Sequence, residues 1–144
     1  VFDVRGGPII VSAGAQVLSG TRLEGPCHVG PGARILGGVV RGSVIGPRSV
    51  VHGEGSASVF LGYANKAHDG FVGHSYLGHW VNLGAGTITS NLKNTYGEVQ
   101  LDAAGTALTT GRMMLGSLIG DHAKTAIGTL LSTGIAQLLT ATRA

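Results

Sequence analysis

A six-residue step runs through this chain and constrains its fold more than any other feature. From Val11 the step falls on Val17, Leu23, Val29 and Ile35, each an aliphatic residue. Four residues after each comes a small or compact one: Ala15, Thr21, Cys27, Ala33 and Val39. The register then slips. It resumes at Ile45-Gly46 and Val51, with Ser49 and Gly55 at the compact position. It returns at Leu77-Gly78 and Leu83-Gly84, with Val81 and Thr87, and again at Ile119-Gly120, Thr125 and Leu131, with Ala123, Thr129 and Ile135. A period of six is neither the helical 3.6 nor the strand alternation of 2. It suits a flat-sided coil in which each unit supplies one short strand and one corner. The aliphatic residue points inward, the compact one fits a narrow interior, and Gly or Asn takes the strained corner. Stacked coils then bury a continuous core that no single unit could bury.

Glycine supports this reading. The 26 glycines lack the every-third spacing of collagen, and they argue against a helical coiled coil. At 144 residues the chain is long enough for one domain with a sizeable core. Hydrophobic residues are 43% and charged ones only 12%, so much side-chain surface is expected to be buried, part of it between subunits. The expected fold is all-β, one parallel β-helix over residues 1–144. Ser90 to Leu115 breaks the register and predicts a loop excursion with a short strand around Glu98–Leu101. The tail Gln137–Ala144 is expected to form a short helix or to end loosely.

Several function classes drop out. The seven arginines and three lysines are scattered, the net charge is only +3 and aromatics are 5%, which speaks against a nucleic-acid surface. No run of about 20 apolar residues predicts a membrane span. No basic start followed by an apolar stretch predicts a leader, although the chain begins Val1-Phe2-Asp3. Cys27 is the single cysteine, which excludes an internal disulfide and fits a cytoplasmic setting.

The densest chemistry lies between Glu54 and Lys93. It runs Gly62-Tyr63-Ala64-Asn65-Lys66-Ala67-His68-Asp69-Gly70-Phe71-Val72-Gly73-His74-Ser75-Tyr76-Leu77-Gly78. It continues through Val81-Asn82-Leu83-Gly84-Ala85-Gly86-Thr87 to Ser90-Asn91-Leu92-Lys93-Asn94-Thr95-Tyr96-Gly97. With the later Leu115-Gly116-Ser117-Leu118-Ile119-Gly120-Asp121-His122-Ala123-Lys124-Thr125, these segments resemble hexapeptide-repeat acyltransferases. More closely, they resemble the C-terminal acetyltransferase domain of the bifunctional N-acetylglucosamine-1-phosphate uridyltransferase/glucosamine-1-phosphate acetyltransferases.

The resemblance implies a left-handed, three-sided column, although parallel crossovers are normally right-handed. It implies a homotrimer with the sites in grooves between subunits, acetyl-CoA as co-substrate and no metal for the transfer. The implied acceptor is an amino sugar 1-phosphate, glucosamine 1-phosphate foremost. The nucleotidyltransferase domain of such enzymes is absent from these residues. Without catalysis, the chain would serve as a trimerising or regulatory module of a sugar nucleotidyltransferase.

By the same resemblance His68 is the catalytic base, standing fourteen residues before Asn82. An imidazole titrates near neutral pH and can take the proton an ammonium must lose before its nitrogen attacks a thioester. Glu54, fourteen residues earlier, is implied to orient it. Lys66, Lys93 and Arg48 are the candidate phosphate ligands, and Asn82 a further acceptor contact. Asn91, Ser117, Lys124, the Ser132-Thr133-Gly134 turn and Arg143 are the candidate acetyl-CoA contacts. Ala85 offers a backbone N–H for the developing oxyanion. Two departures bear on the acceptor: Val50 stands near where relatives carry Lys, and Phe71 where the bifunctional enzymes carry Tyr. His74 and His79 have the spacing of a zinc pair, but His28 and His52 are poorly placed as a third ligand, and the two are expected to be exposed. His122 is expected to be structural. Tyr76 and Trp80 are expected at a subunit interface, and Cys27 in the core.

Overall fold

The computed structural model describes residues 1–103 and 105–137. Among them there is no helix, and so none long and apolar enough to cross a membrane. The chain visits three parallel sheets in strict rotation. The first face stacks Phe2–Asp3, Thr21–Glu24, Gly38–Arg41, Glu54–Ser56, Phe71–Gly73, Ile88–Thr89 and Leu130–Leu131. The second stacks Ile9–Val11, Cys27–Val29, Val44–Ile45, Val59–Gly62, Tyr76–His79, Ser117–Ile119 and Ile135–Gln137. The third stacks Gln16–Val17, Arg34–Ile35, Val50–Val51 and Asn65–Lys66, and single bridges carry it on through Asn82 to Lys124. This is the left-handed parallel β-helix that the six-residue step and the resemblance imply.

The inward line is the predicted one. Leu23, Val29, Ile35, Ile45, Val51, Leu77, Leu83 and Ile119 are all buried, with Phe60 and Val72 continuing the line between Val51 and Leu77. Val11, on the first coil, is 42% exposed because only one coil of this chain covers it. Val39 departs from its predicted place. Val40 is the fully buried residue there, and Val39 is only half-buried. The cause is the corner at Gly37-Gly38, where both residues have positive φ. A Cβ on Gly38 would stand 2.0 Å from the Gly53 carbonyl oxygen, so only glycine lets the coils approach there. The turn shortens, and the inward residues Ile35, Val40 and Ile45 follow at five-residue steps. Coil length varies in consequence: Ile10 stands beside His28, eighteen residues on, but Val44 stands beside Val59, fifteen on.

Polar ladders complete the interior. Ser43, Ser58, Ser75 and Ser117 are buried one above another, and each Oγ but the last accepts the next serine's backbone N–H at 2.9–3.1 Å. Each of the three lower hydroxyls donates in turn to a local carbonyl. The buried backbone is thereby satisfied where coils bend.

Corners differ by face. The turn from the third face to the first uses glycine at positive φ in coil after coil, including Gly20, Gly53, Gly86 and Gly128. The turn from the second to the third begins with glycine too, at Gly14 and Gly32, and then places Arg48, Tyr63, Trp80 and His122 at positive φ. Asparagine, expected at such corners, is not among the positive-φ residues described. Tyr63 and Trp80 stack with ring centroids 4.3 Å apart, and both are exposed.

The excursion leaves after Thr89 and returns at Ser117. Its regular part is an antiparallel hairpin of Gln100–Ala103 and Thr106–Thr109, shifted from the single strand expected around Glu98–Leu101. Val99 is fully buried and anchors the hairpin, since a Cβ on Gly134 would meet its side chain at 2.6 Å. The final strand ends at Gln137, so the helix expected for the tail falls outside the described residues, as does Arg143.

Candidate functional site

The groove that gathers the predicted chemistry lies on the corner between the third and first faces. Leu36, His52, Ala67, His68, Asp69, Ala85 and Gly86 line it across successive coils, around a volume of about 420 Å³. His68 stands exposed in it, on the four-residue loop between Asn65–Lys66 and Phe71–Gly73. The preceding coil turns the same corner with only two residues, His52 and Gly53. The extra length carries His68 out over the groove.

That loop is tied on both sides. The Asp69 carbonyl accepts the Gly86 N–H at 2.9 Å, and the Asp69 carboxylate meets His52 Nδ1 at 3.0 Å. Inside the coil, Lys66 Nζ donates to the carbonyls of His68 and Asp69. Ala85 sits one coil further on. Its neighbours' N–H groups are engaged, Gly84 with Thr125 Oγ1 and Gly86 with Asp69, whereas the Ala85 N–H has no bonded acceptor among the described residues. An unspent donor near an exposed imidazole suits a reaction that develops negative charge on oxygen.

Other predicted residues lie elsewhere. Glu54 does not bond His68: Arg41 Nη2 takes its carboxylate at 2.5 Å. The carboxylate next to the base is Asp69, and its partner is His52. Lys66 is 1% exposed, so its ammonium faces two carbonyls and not the groove. Burial lowers its affinity for the proton, and the nearby Asp69 charge opposes this. Ser117 is fully buried at the end of the serine ladder, so its hydroxyl presents nothing to solvent. Asn82 Oδ1 accepts from Asn65 Nδ2 at 2.7 Å on the third face, where Lys124 is its neighbour on the next coil. Arg48 is exposed on the corner between the second and third faces.

A second groove does bring predicted residues together. Ser90, Leu92, Lys93, Asn94, Thr95, Ser132 and Thr133 line it, joining the start of the excursion to the last coil's turn. Lys93 Nζ donates to the Glu98 carbonyl at 2.6 Å there. Asn91 lies close in sequence and shares a 2.8 Å hydrogen bond with His74 Nδ1. The two histidines of zinc-like spacing part company, since His79 turns to Asp121.

Sequence reasoning weighed His52 only as a metal ligand and gave Asp69 no role, so it missed both as neighbours of His68 in this groove. Asp69 is the residue after the base, and the fifteen-residue coil register that stacks Asn65 and Lys66 on Val50 and Val51 also sets His52 beneath that loop. The varying coil length hid this.

No family model matches the chain. Over 78 residues it is 35% identical to the bifunctional sugar-1-phosphate nucleotidylyltransferase/acetyltransferase of Sulfurisphaera tokodaii, covering 54% of this chain and 20% of that protein. The chain is similar to these bifunctional enzymes. It is also 35% identical over 95 residues to the bifunctional protein GlmU of Jannaschia sp., covering 62% of the chain and 20% of the relative. To GlmU of Paraburkholderia xenovorans it is 34% identical over 99 residues, covering 62% and 22%. The chain thus spans about a fifth of the length of the curated relatives it matches.

Proposed function

We propose that this chain is an acetyl-CoA-dependent N-acetyltransferase for an amino sugar 1-phosphate, glucosamine 1-phosphate foremost. The observation that carries the reading is the shared groove. It sets an exposed imidazole, His68, across from Ala85, whose backbone N–H is unspent. The similarity to bifunctional sugar-phosphate enzymes supports the substrate class.

The reaction is a direct transfer. His68 accepts a proton from the acceptor's ammonium, and the freed amine attacks the thioester carbonyl. The C–N bond forms while the carbonyl oxygen gathers charge beside the Ala85 N–H. The C–S bond then breaks as the nitrogen loses its second proton to water, and CoA leaves as thiolate, which the imidazolium protonates to the free thiol. No acyl-enzyme is needed, since Cys27 is buried and burial pushes its thiol pKa up.

The working unit is a homotrimer, with each groove completed by a neighbour. Exposed apolar side chains flank the groove corner: Ile88 and Leu130 pair on the first face, and Ile127 is 82% exposed. Tyr76 and Trp80 are exposed on the second face and its corner. Lys93 and the Ser132-Thr133 turn serve the phosphate-bearing substrates in the second groove. The test is release of free thiol from acetyl-CoA with a panel of amino sugar 1-phosphates, paired with sedimentation analysis. Acceptor-dependent release from a trimer supports the reading. A trimer that releases no thiol with any acceptor marks the chain as a non-catalytic module.

A further inference from the structure

We propose that Lys66 is a positioning residue that holds His68 in place from inside the column. The inference rests on His68 being the base. Lys66 occupies an inward position: it follows Phe60 by six residues, precedes Val72 by six and stacks on Val51. All three neighbours on that line are buried and apolar. A buried ammonium there is costly, because it surrenders its hydration, and an aliphatic residue would pack without that cost. The ammonium sits on the coil at which this corner widens from two residues to four, a length the next coil keeps. The loop from Ala67 to Gly70 has four residues, against two on the preceding coil. Its chain turns the carbonyls of His68 and Asp69 toward the interior, where no backbone donor of the described residues meets the His68 carbonyl. Lys66 Nζ supplies both, bonding the Asp69 carbonyl at 2.8 Å, and Gly70 admits it, since a Cβ there would stand 3.1 Å from Nζ. On the outer side, the Asp69 carboxylate stands 3.0 Å from His52 Nδ1. Both contacts fall on His68 itself or on the residue that follows it.

The test compares Lys66→Met, of similar length and without the charge, with Lys66→Gln, which keeps N–H donors. Each is made alone and with His68→Ala. The expected result is a folded Lys66→Met protein with kcat lowered about 10- to 100-fold and KM for acetyl-CoA within about twofold, since misplacement by about 1 Å can cost that much. Lys66→Gln should recover part of the loss. In the His68→Ala background, Lys66→Met should lower the residual rate no further, because its effect passes through the imidazole. A folded Lys66→Met protein with normal kcat overturns the proposal, as does an equal loss with and without His68. If both variants fail to fold, Lys66 determines the fold and does not position the base, and the proposal also falls. Normal turnover in His68→Ala alone removes the base itself, an outcome distinct from all of these.

Discussion

Replacing Ser75 with alanine should cost far more stability than a serine-to-alanine change usually does. Ser75 is 5% exposed, and its hydroxyl both accepts the Ser117 N–H at 2.9 Å and donates to the Gly73 carbonyl at 2.8 Å. Ser117 is fully buried, so water cannot replace the lost acceptor. An orphaned buried N–H costs about 1–3 kcal/mol, and the lost bond to Gly73 adds about 1 kcal/mol. The sum is about 2–4 kcal/mol. With a urea dependence of about 2 kcal/mol per molar, the unfolding midpoint should fall by about 1–2 M at fixed protein concentration. The place matters as well as the amount. Ser117 is where the chain rejoins the column after the excursion, so the ladder pins that return. Ser132 is exposed, and Ser132→Ala should stay within about 0.5 kcal/mol of the parent. Equilibrium urea unfolding of both variants is the assay. A Ser75→Ala midpoint matching that of Ser132→Ala would refute the reasoning that buried hydroxyls satisfy the coil bends.

Other consequences are smaller in scope. Gly70→Ala combines a φ of +135° with a Cβ 2.2 Å from the Thr87 carbonyl oxygen, so it should destabilise by about 2–3 kcal/mol and slow acetyl transfer. Gly128→Ala shares only the positive φ, with open space around it, and should cost about 1 kcal/mol in thermal unfolding. Cys27 should resist a thiol reagent at pH 8 in the folded protein and react stoichiometrically once unfolded, because burial raises its folded pKa above the ordinary 9.0. The unfolded thiol ionises first as pH rises past about 9, so stability should fall there, and replacing Cys27 with alanine should remove that component of the pH dependence.

The architecture was legible because its physical cause is local and repeated. An aliphatic residue every sixth position has one way to be buried in every coil, and Val29, Ile35, Leu77 and Leu83 all lie inside as their spacing requires. Failures arose where a coil changes length. Val39 and Val40 exchange places because Gly37-Gly38 shortens a corner. Lys66 is the instructive case. Counting six from Phe60 lands on it, but a charged residue reads as solvent-facing, and only the carbonyls of the widened corner explain an ammonium inside. Glu54 shows a different limit: its spacing from His68 matches the relatives' pattern, yet Arg41, on the neighbouring strand, takes its carboxylate. Side-chain pairing between coils depends on register, and register depends on corners that periodicity does not specify.

The most direct measurement is single-turnover acetylation of glucosamine 1-phosphate by the parent chain and by His68→Ala, with assembly checked in both. His68 is exposed, so its removal should leave the column intact. The account predicts a loss of about 10²- to 10⁴-fold in the transfer step, the range expected when a general base is removed. A variant that is equally well assembled and transfers the acetyl group at the parent's rate would contradict it.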